Sequence, residues 1–131
     1  MSGWLSTHVL DTANGTPAKD VALALWRIKE NPTARTKTDH QLIKTVRTNA
    51  DGRTDAPLLE GKDFDLGLYE IVFEVGDYFA KLEAAFPKAS LSATYPFLSS
   101  VPLRFGIADL NAHYHVPLLV SPWSYSTYRG S

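Results

Sequence analysis

The sequence contains no cysteine among its 131 residues. That absence excludes disulfides, thiolate metal sites and cysteine nucleophiles. Long apolar runs are missing as well: nothing approaches the roughly 20 consecutive apolar residues that a membrane-spanning helix needs. An excess of charge of either sign is also lacking. Thirteen Lys and Arg stand against fourteen Asp and Glu, a net charge of -1. Without a basic footprint the chain offers no electrostatic case for binding nucleic acid or an acidic membrane. The opening residues, Met1 to Leu5, lack the basic and apolar regions of a signal peptide. A cytoplasmic location is therefore expected, or a peroxisomal one in a eukaryote. No internal repeat is visible, and strands do not alternate with helices in a way that would signal a parallel α/β sheet.

What is present is strand pattern. Trp4 to Leu10 alternates, with Trp4, Ser6, His8 and Leu10 on one side and Leu5, Thr7 and Val9 on the other. Val21 to Lys29 reads as a second strand, with Val21, Leu23, Leu25 and Arg27 on one face. Residues 31 to 42 are polar and read as a loop. Ile43 to Thr48 is a short strand, and the Asn49-Ala50-Asp51-Gly52 turn delivers Arg53 at its exit. Leu66 to Val75 is rich in β-branched and aromatic residues. Asp77 is a plausible helix N-cap, and apolar spacing predicts a short helix over residues 77–86 that Pro87 ends. Residues 88 to 100 read as a second long loop. Val101 to Ala108 alternates again. His113 to Ser131 gives two strands around the Ser121-Pro122-Trp123-Ser124 turn. Seven or eight short strands and one late helix predict an all-β sandwich, in one domain spanning residues 1–131.

Four separated stretches resemble a known family: Ser6-Thr7-His8-Val9-Leu10-Asp11; Thr48 to Arg53; Tyr69-Glu70-Ile71 followed by Val75-Gly76-Asp77-Tyr78-Phe79; and His113 to Ser131, which closes on Tyr-Arg-Gly-Ser. In that order they are similar to the transthyretin-related 5-hydroxyisourate hydrolases. The resemblance implies a prealbumin-like sandwich of two four-stranded sheets with one short helix. It implies a homotetramer, a dimer of dimers, with sites in a channel between dimers. It further implies hydrolysis of 5-hydroxyisourate without a metal or organic cofactor. Carried over position by position, the catalytic residues fall on His8, Arg53, His115 and Ser131. Substrate-binding positions fall on His8, Arg53, Tyr128, Arg129 and Gly130, with His113 in a supporting place. The loop near residues 31 to 42 and the segment 88 to 100 look longer than is usual in the family.

The residue chemistry agrees with that expectation but leaves choices open. Histidine titrates near neutral pH and can activate water, and either His8 or His115 can be the base. Arg53 presents a planar cationic fork suited to the oxygens of an oxidised purine or to a forming oxyanion. His113 and His115 are two apart and share one side of a strand. That spacing also permits a zinc pair with His8 as third ligand. His40, in the polar loop, is expected to be solvated. Tyr128 can stack on a flat substrate, and the Ser131 hydroxyl and terminal carboxylate can bond to a histidine or a water, so a C-terminal tag is expected to harm activity more than an N-terminal one. Arg129 can bind substrate or neutralise that carboxylate. Two other readings of the same sandwich are a carrier of small aromatic ligands, as in transthyretin, and an immunoglobulin-like adhesion domain.

Overall fold

Period-two burial sets the first strand. In the structure, a computed structural model describing residues 2–30, 38–85 and 95–131, strand β1 (Trp4–Asp11) buries Leu5, Thr7, Val9 and Asp11. Its other face carries Trp4, Ser6, His8 and Leu10. Strand β8 (His113–Val120) lies parallel beside it, with Trp4 opposite His113, Ser6 opposite His115 and His8 opposite Pro117. The short strand β9 (Tyr125–Thr127) returns antiparallel along β8.

The other edge of β1 is shared by three short pieces. Strand β2 (Thr16–Pro17) pairs with Leu10 and Asp11, and strand β5 (Leu59–Glu60) pairs with Trp4 and Leu5. Between them Arg53 forms an isolated antiparallel bridge to His8. This broken edge leaves room for a turn where a continuous strand would run.

The second sheet has the order β4-β3-β6-β7, built from β3 (Ala22–Glu30), β4 (Thr38–Arg47), β6 (Gly67–Phe73) and β7 (Val101–Ile107). Leu5, Val9, Tyr114, Val116 and Leu118 from the first sheet share one core with Leu23, Leu25, Tyr69, Ile71, Phe73 and Leu103 from the second. Each such side chain contributes about 1.5–3 kcal/mol when fully buried. Arg27 pairs with Tyr69 in register. Its guanidinium lies over the Tyr69 ring, 5.2 Å from the centroid, and donates to Tyr69 Oη and the Leu66 carbonyl. Helix α1 (Val75–Ala85) follows β6 and packs Tyr78, Phe79 and Leu82 onto the core. The fully buried Asp11 carboxylate ties this helix to β1, accepting from Tyr78 Oη at 2.7 Å and from the Asn14 backbone and side chain.

The all-β sandwich expected from the sequence is the fold observed, with local corrections. The first sheet gains the two-residue β5 in addition to the four-strand path β2-β1-β8-β9. Residues 38–42, expected as loop, belong to β4. The β3–β4 register shifts between Leu25 and Trp26, a bulge beyond which the polar residues 38–42 continue the strand. His40 is consequently a strand residue, edge-on to Trp26 and 3.9 Å from the Glu70 carboxylate. The helix starts two residues earlier than expected, so Asp77 sits in its first turn, where a negative charge complements the helix dipole. Residues 31–37 and 86–94, which hold most of the two long loops and the Phe86-Pro87 helix end, lie outside the described residues. No helix among the described residues is long and apolar enough to cross a membrane.

Candidate active site

The parallel β1–β8 register assembles a cluster from residues more than a hundred positions apart. Ser6 stands between two imidazoles, its Oγ 2.7 Å from His113 Nε2 and 2.8 Å from His115 Nδ1. The two rings are 5.8 Å apart between centroids. Trp4 stacks on His113 at 4.0 Å and 13° between planes. This stack and the serine together fix the plane of His113.

A turn brings in the cation. Asn49 organises it: its side-chain oxygen accepts from the backbone N–H groups of Asp51 and Arg53, and its own N–H donates to the Arg53 carbonyl. Gly52 has φ +75°, a conformation that a side chain disfavours. Its carbonyl accepts from Val9 N–H at 2.8 Å. An added Cβ there would stand 2.4 Å from the Val9 carbonyl oxygen, so only glycine lets the turn lie against β1. Arg53 thereby faces His8. His8 Nε2 is 2.9 Å from the Asp51 carbonyl. A carbonyl only accepts, so Nε2 carries the proton and a neutral His8 keeps its lone pair on Nδ1.

The tail closes the third side. Gly130 N–H donates to the His115 carbonyl at 2.8 Å. An added Cβ at Gly130 would come 2.4 Å from His115 Cδ2, so the tail backbone lies directly against the ring. With Nδ1 held by Ser6 and Cδ2 against Gly130, the Cε1–Nε2 edge of His115 is the one left facing outward.

The structure thus brings His8, Arg53, His113, His115 and Gly130 to one side of the first sheet, and the exposed Ser131 follows directly. Tyr128 and Arg129 precede Gly130 and Ser131 in the tail. They border a cavity of about 430 Å³ between the sheet edges, lined also by Leu103, Phe105, Tyr114 and Val116. The Arg129 guanidinium lies 4.2 Å over the Tyr114 ring. Ser6 is the cluster member that residue type alone did not single out. Its shared strand face with His8 was the available signal.

The surroundings of His113 and His115 favour their neutral forms. Burial lowers the pKa of His115, and the neighbouring His113, Arg53 and His8 lower it further. Burial also lowers that of His113. A neutral ring with an outward nitrogen can take a proton from water, and an adjacent guanidinium can stabilise oxygen charge. Ser6 occupies one nitrogen on each of His113 and His115, and among the described residues no three His, Cys, Asp or Glu side chains converge to hold a metal.

Three comparisons bear on this site. Residues 5–130 match the model of the HIUase/Transthyretin family. A 5-hydroxyisourate hydrolase of Ralstonia nicotianae is 57% identical over 98% of this chain and 99% of its own. Among solved structures, the 5-hydroxyisourate hydrolase of Klebsiella pneumoniae is 31% identical, covers all of both chains and superposes with a TM-score of 0.71. Sea bream transthyretin in complex with thyroxine is 27% identical over 96% of this chain and 93% of its own, with a TM-score of 0.76.

Proposed function

The chain belongs to the HIUase/transthyretin family, and from that premise we propose that it hydrolyses 5-hydroxyisourate to 2-oxo-4-hydroxy-4-carboxy-5-ureidoimidazoline in urate breakdown. The observation that carries this reading is the meeting of His8, Arg53 and the Ser6-bound His115 on one sheet face. A neutral water activator and a cation side by side are what a ring-opening hydrolysis requires.

His115 acts as general base. Its outward Nε2 takes a proton from water as the water oxygen adds to the ring carbonyl. Arg53 balances the negative charge that forms on the carbonyl oxygen. The carbon–nitrogen bond then breaks, and the departing nitrogen receives the proton from the His115 imidazolium. His8, with its proton committed to the Asp51 carbonyl, offers Nδ1 to orient the water or a substrate N–H. Gly130 and Ser131 wall the site beside His115. Tyr128 and Arg129 bind substrate, and the protein is a homotetramer, a dimer of dimers.

The thyroxine complex of sea bream transthyretin keeps a second reading in play, a carrier of aromatic ligands. Substoichiometric protein separates the two. An enzyme removes many equivalents of freshly generated 5-hydroxyisourate, followed by its absorbance, well above the spontaneous rate. A carrier protects at most one equivalent per site, and decay at the spontaneous rate would overturn the hydrolase assignment.

A further inference from the structure

Ser6 can give its single hydroxyl proton to only one of the two imidazole nitrogens it touches. His113 Nε2 and His115 Nδ1 both lie within 2.8 Å of Oγ, so at most one ring accepts from Ser6 and at least one donates to it. The protonation of the two rings is therefore coupled through one side chain. We propose that Ser6 is a positioning residue that fixes the tautomer of His115: His115 Nδ1–H donates to Ser6 Oγ, Ser6 donates to His113 Nε2, and the His115 Nε2 lone pair faces the site.

Two observations favour this direction over its reverse. Arg53, bridged to His8 on the same strand as Ser6, lowers the pKa of His115, and with Nδ1 held against Ser6 a positive neighbour favours a lone pair over an N–H on the remaining nitrogen. The stack with Trp4 fixes the His113 ring with its Nε2 toward Ser6, so it serves as the terminal acceptor with its own proton on Nδ1. The arrangement rests on the hydrolase reading for its purpose, because a base needs Nε2 unprotonated, but its geometry can be tested without any substrate.

The test is nitrogen-15 NMR of the histidine rings in the folded full chain near pH 7.5, for wild type, Ser6→Ala and Ser6→Thr. Wild type is expected to show His115 protonated at Nδ1 and unprotonated at Nε2. Ser6→Ala should move His115 toward the Nε2–H form and lower kcat by about tenfold to a hundredfold with a smaller effect on KM. Ser6→Thr, which keeps the hydroxyl, should retain the wild-type tautomer. A wild-type His115 protonated at Nε2 would overturn the proposal, as would an unchanged tautomer in Ser6→Ala. The wild-type spectrum decides even if Ser6→Ala fails to fold. Absence of turnover with the expected tautomer would count against the hydrolase reading alone, whereas turnover with the opposite tautomer would count against the role of Ser6 alone.

Discussion

Replacing Gly130 by alanine adds one methyl group at a contact that leaves no room for it. The new Cβ would lie 2.4 Å from His115 Cδ2 and 3.0 Å from His115 Cβ and Cγ. Carbon atoms settle at about 3.5–4.0 Å, so the ring or the tail must retreat by more than about 1 Å. If the ring yields, the 2.8 Å bond between His115 Nδ1 and Ser6 Oγ breaks. If the tail yields, the 2.8 Å bond from Gly130 N–H to the His115 carbonyl breaks. Either bond contributes about 1 kcal/mol to stability, a loss that lowers Tm by only a few degrees in a chain of this size. A displacement of about 1 Å at a catalytic group costs roughly a hundredfold in rate. The assays are thermal unfolding and kcat/KM from the absorbance decay of freshly generated 5-hydroxyisourate. The expected result is a large kinetic loss with a small change in Tm. Activity within twofold of wild type would refute the reasoning that the tail backbone sets the position of His115.

Other perturbations follow the same logic. Burial and neighbouring positive groups lower the pKa of His115, so its neutral, basic form persists to more acidic pH. The acid limb of the kcat/KM profile should fall below the ordinary histidine value of about 6.5; Arg53→Gln, which removes one depressing charge, should move that limb upward. An acid limb above 6.5 in wild type would contradict His115 as the base. The same shifts make the unfolded chain bind more protons than the native one as pH falls through 6.5. Urea unfolding should show the contribution of His113 and His115 to stability present above that pH and lost progressively below it. Tyr78→Phe removes a buried donor to Asp11 and should cost about 1–3 kcal/mol, read as a lower urea midpoint, with kcat nearly unchanged; a kcat loss of tenfold or more would place Tyr78 in the chemistry instead. Arg53→Lys keeps the charge but loses the planar fork and should lower kcat/KM by about tenfold or more. Wild-type kinetics in that variant would mean that charge alone suffices.

How much of this was legible before the structure depends on the residue. β1 and β7 announce themselves by alternation, because one face of each packs on the core and the other does not. β4 did not, because its first residues, Thr38-Asp39-His40-Gln41, are polar. Its pairing with β3 holds it in place, and pairing leaves no mark in composition. The two-residue β5 is too short for any periodicity to register. In the cluster, Arg53 was legible from the Asp-Gly turn that precedes it, and His8 and His115 from the motifs that carry them. Ser6 was not, since a strand serine is ordinary; only the parallel register of β1 with β8 places it between two imidazoles. The contact of the Arg129 guanidinium with the buried Tyr114 ring was not legible either, since nothing in the closing motif announces which ring its cation will cover.

The central claim is that one face of the first sheet opens the 5-hydroxyisourate ring through His115 and His8. Its most direct test is the initial rate of loss of freshly generated 5-hydroxyisourate with substoichiometric wild-type protein, His8→Ala and His115→Ala, side by side, each variant first checked for a wild-type unfolding transition. Wild type should exceed the spontaneous rate by orders of magnitude, and each variant should fall by about a hundredfold or more. Wild-type decay no faster than the spontaneous reaction, or folded variants that turn over at nearly the wild-type rate, would contradict it.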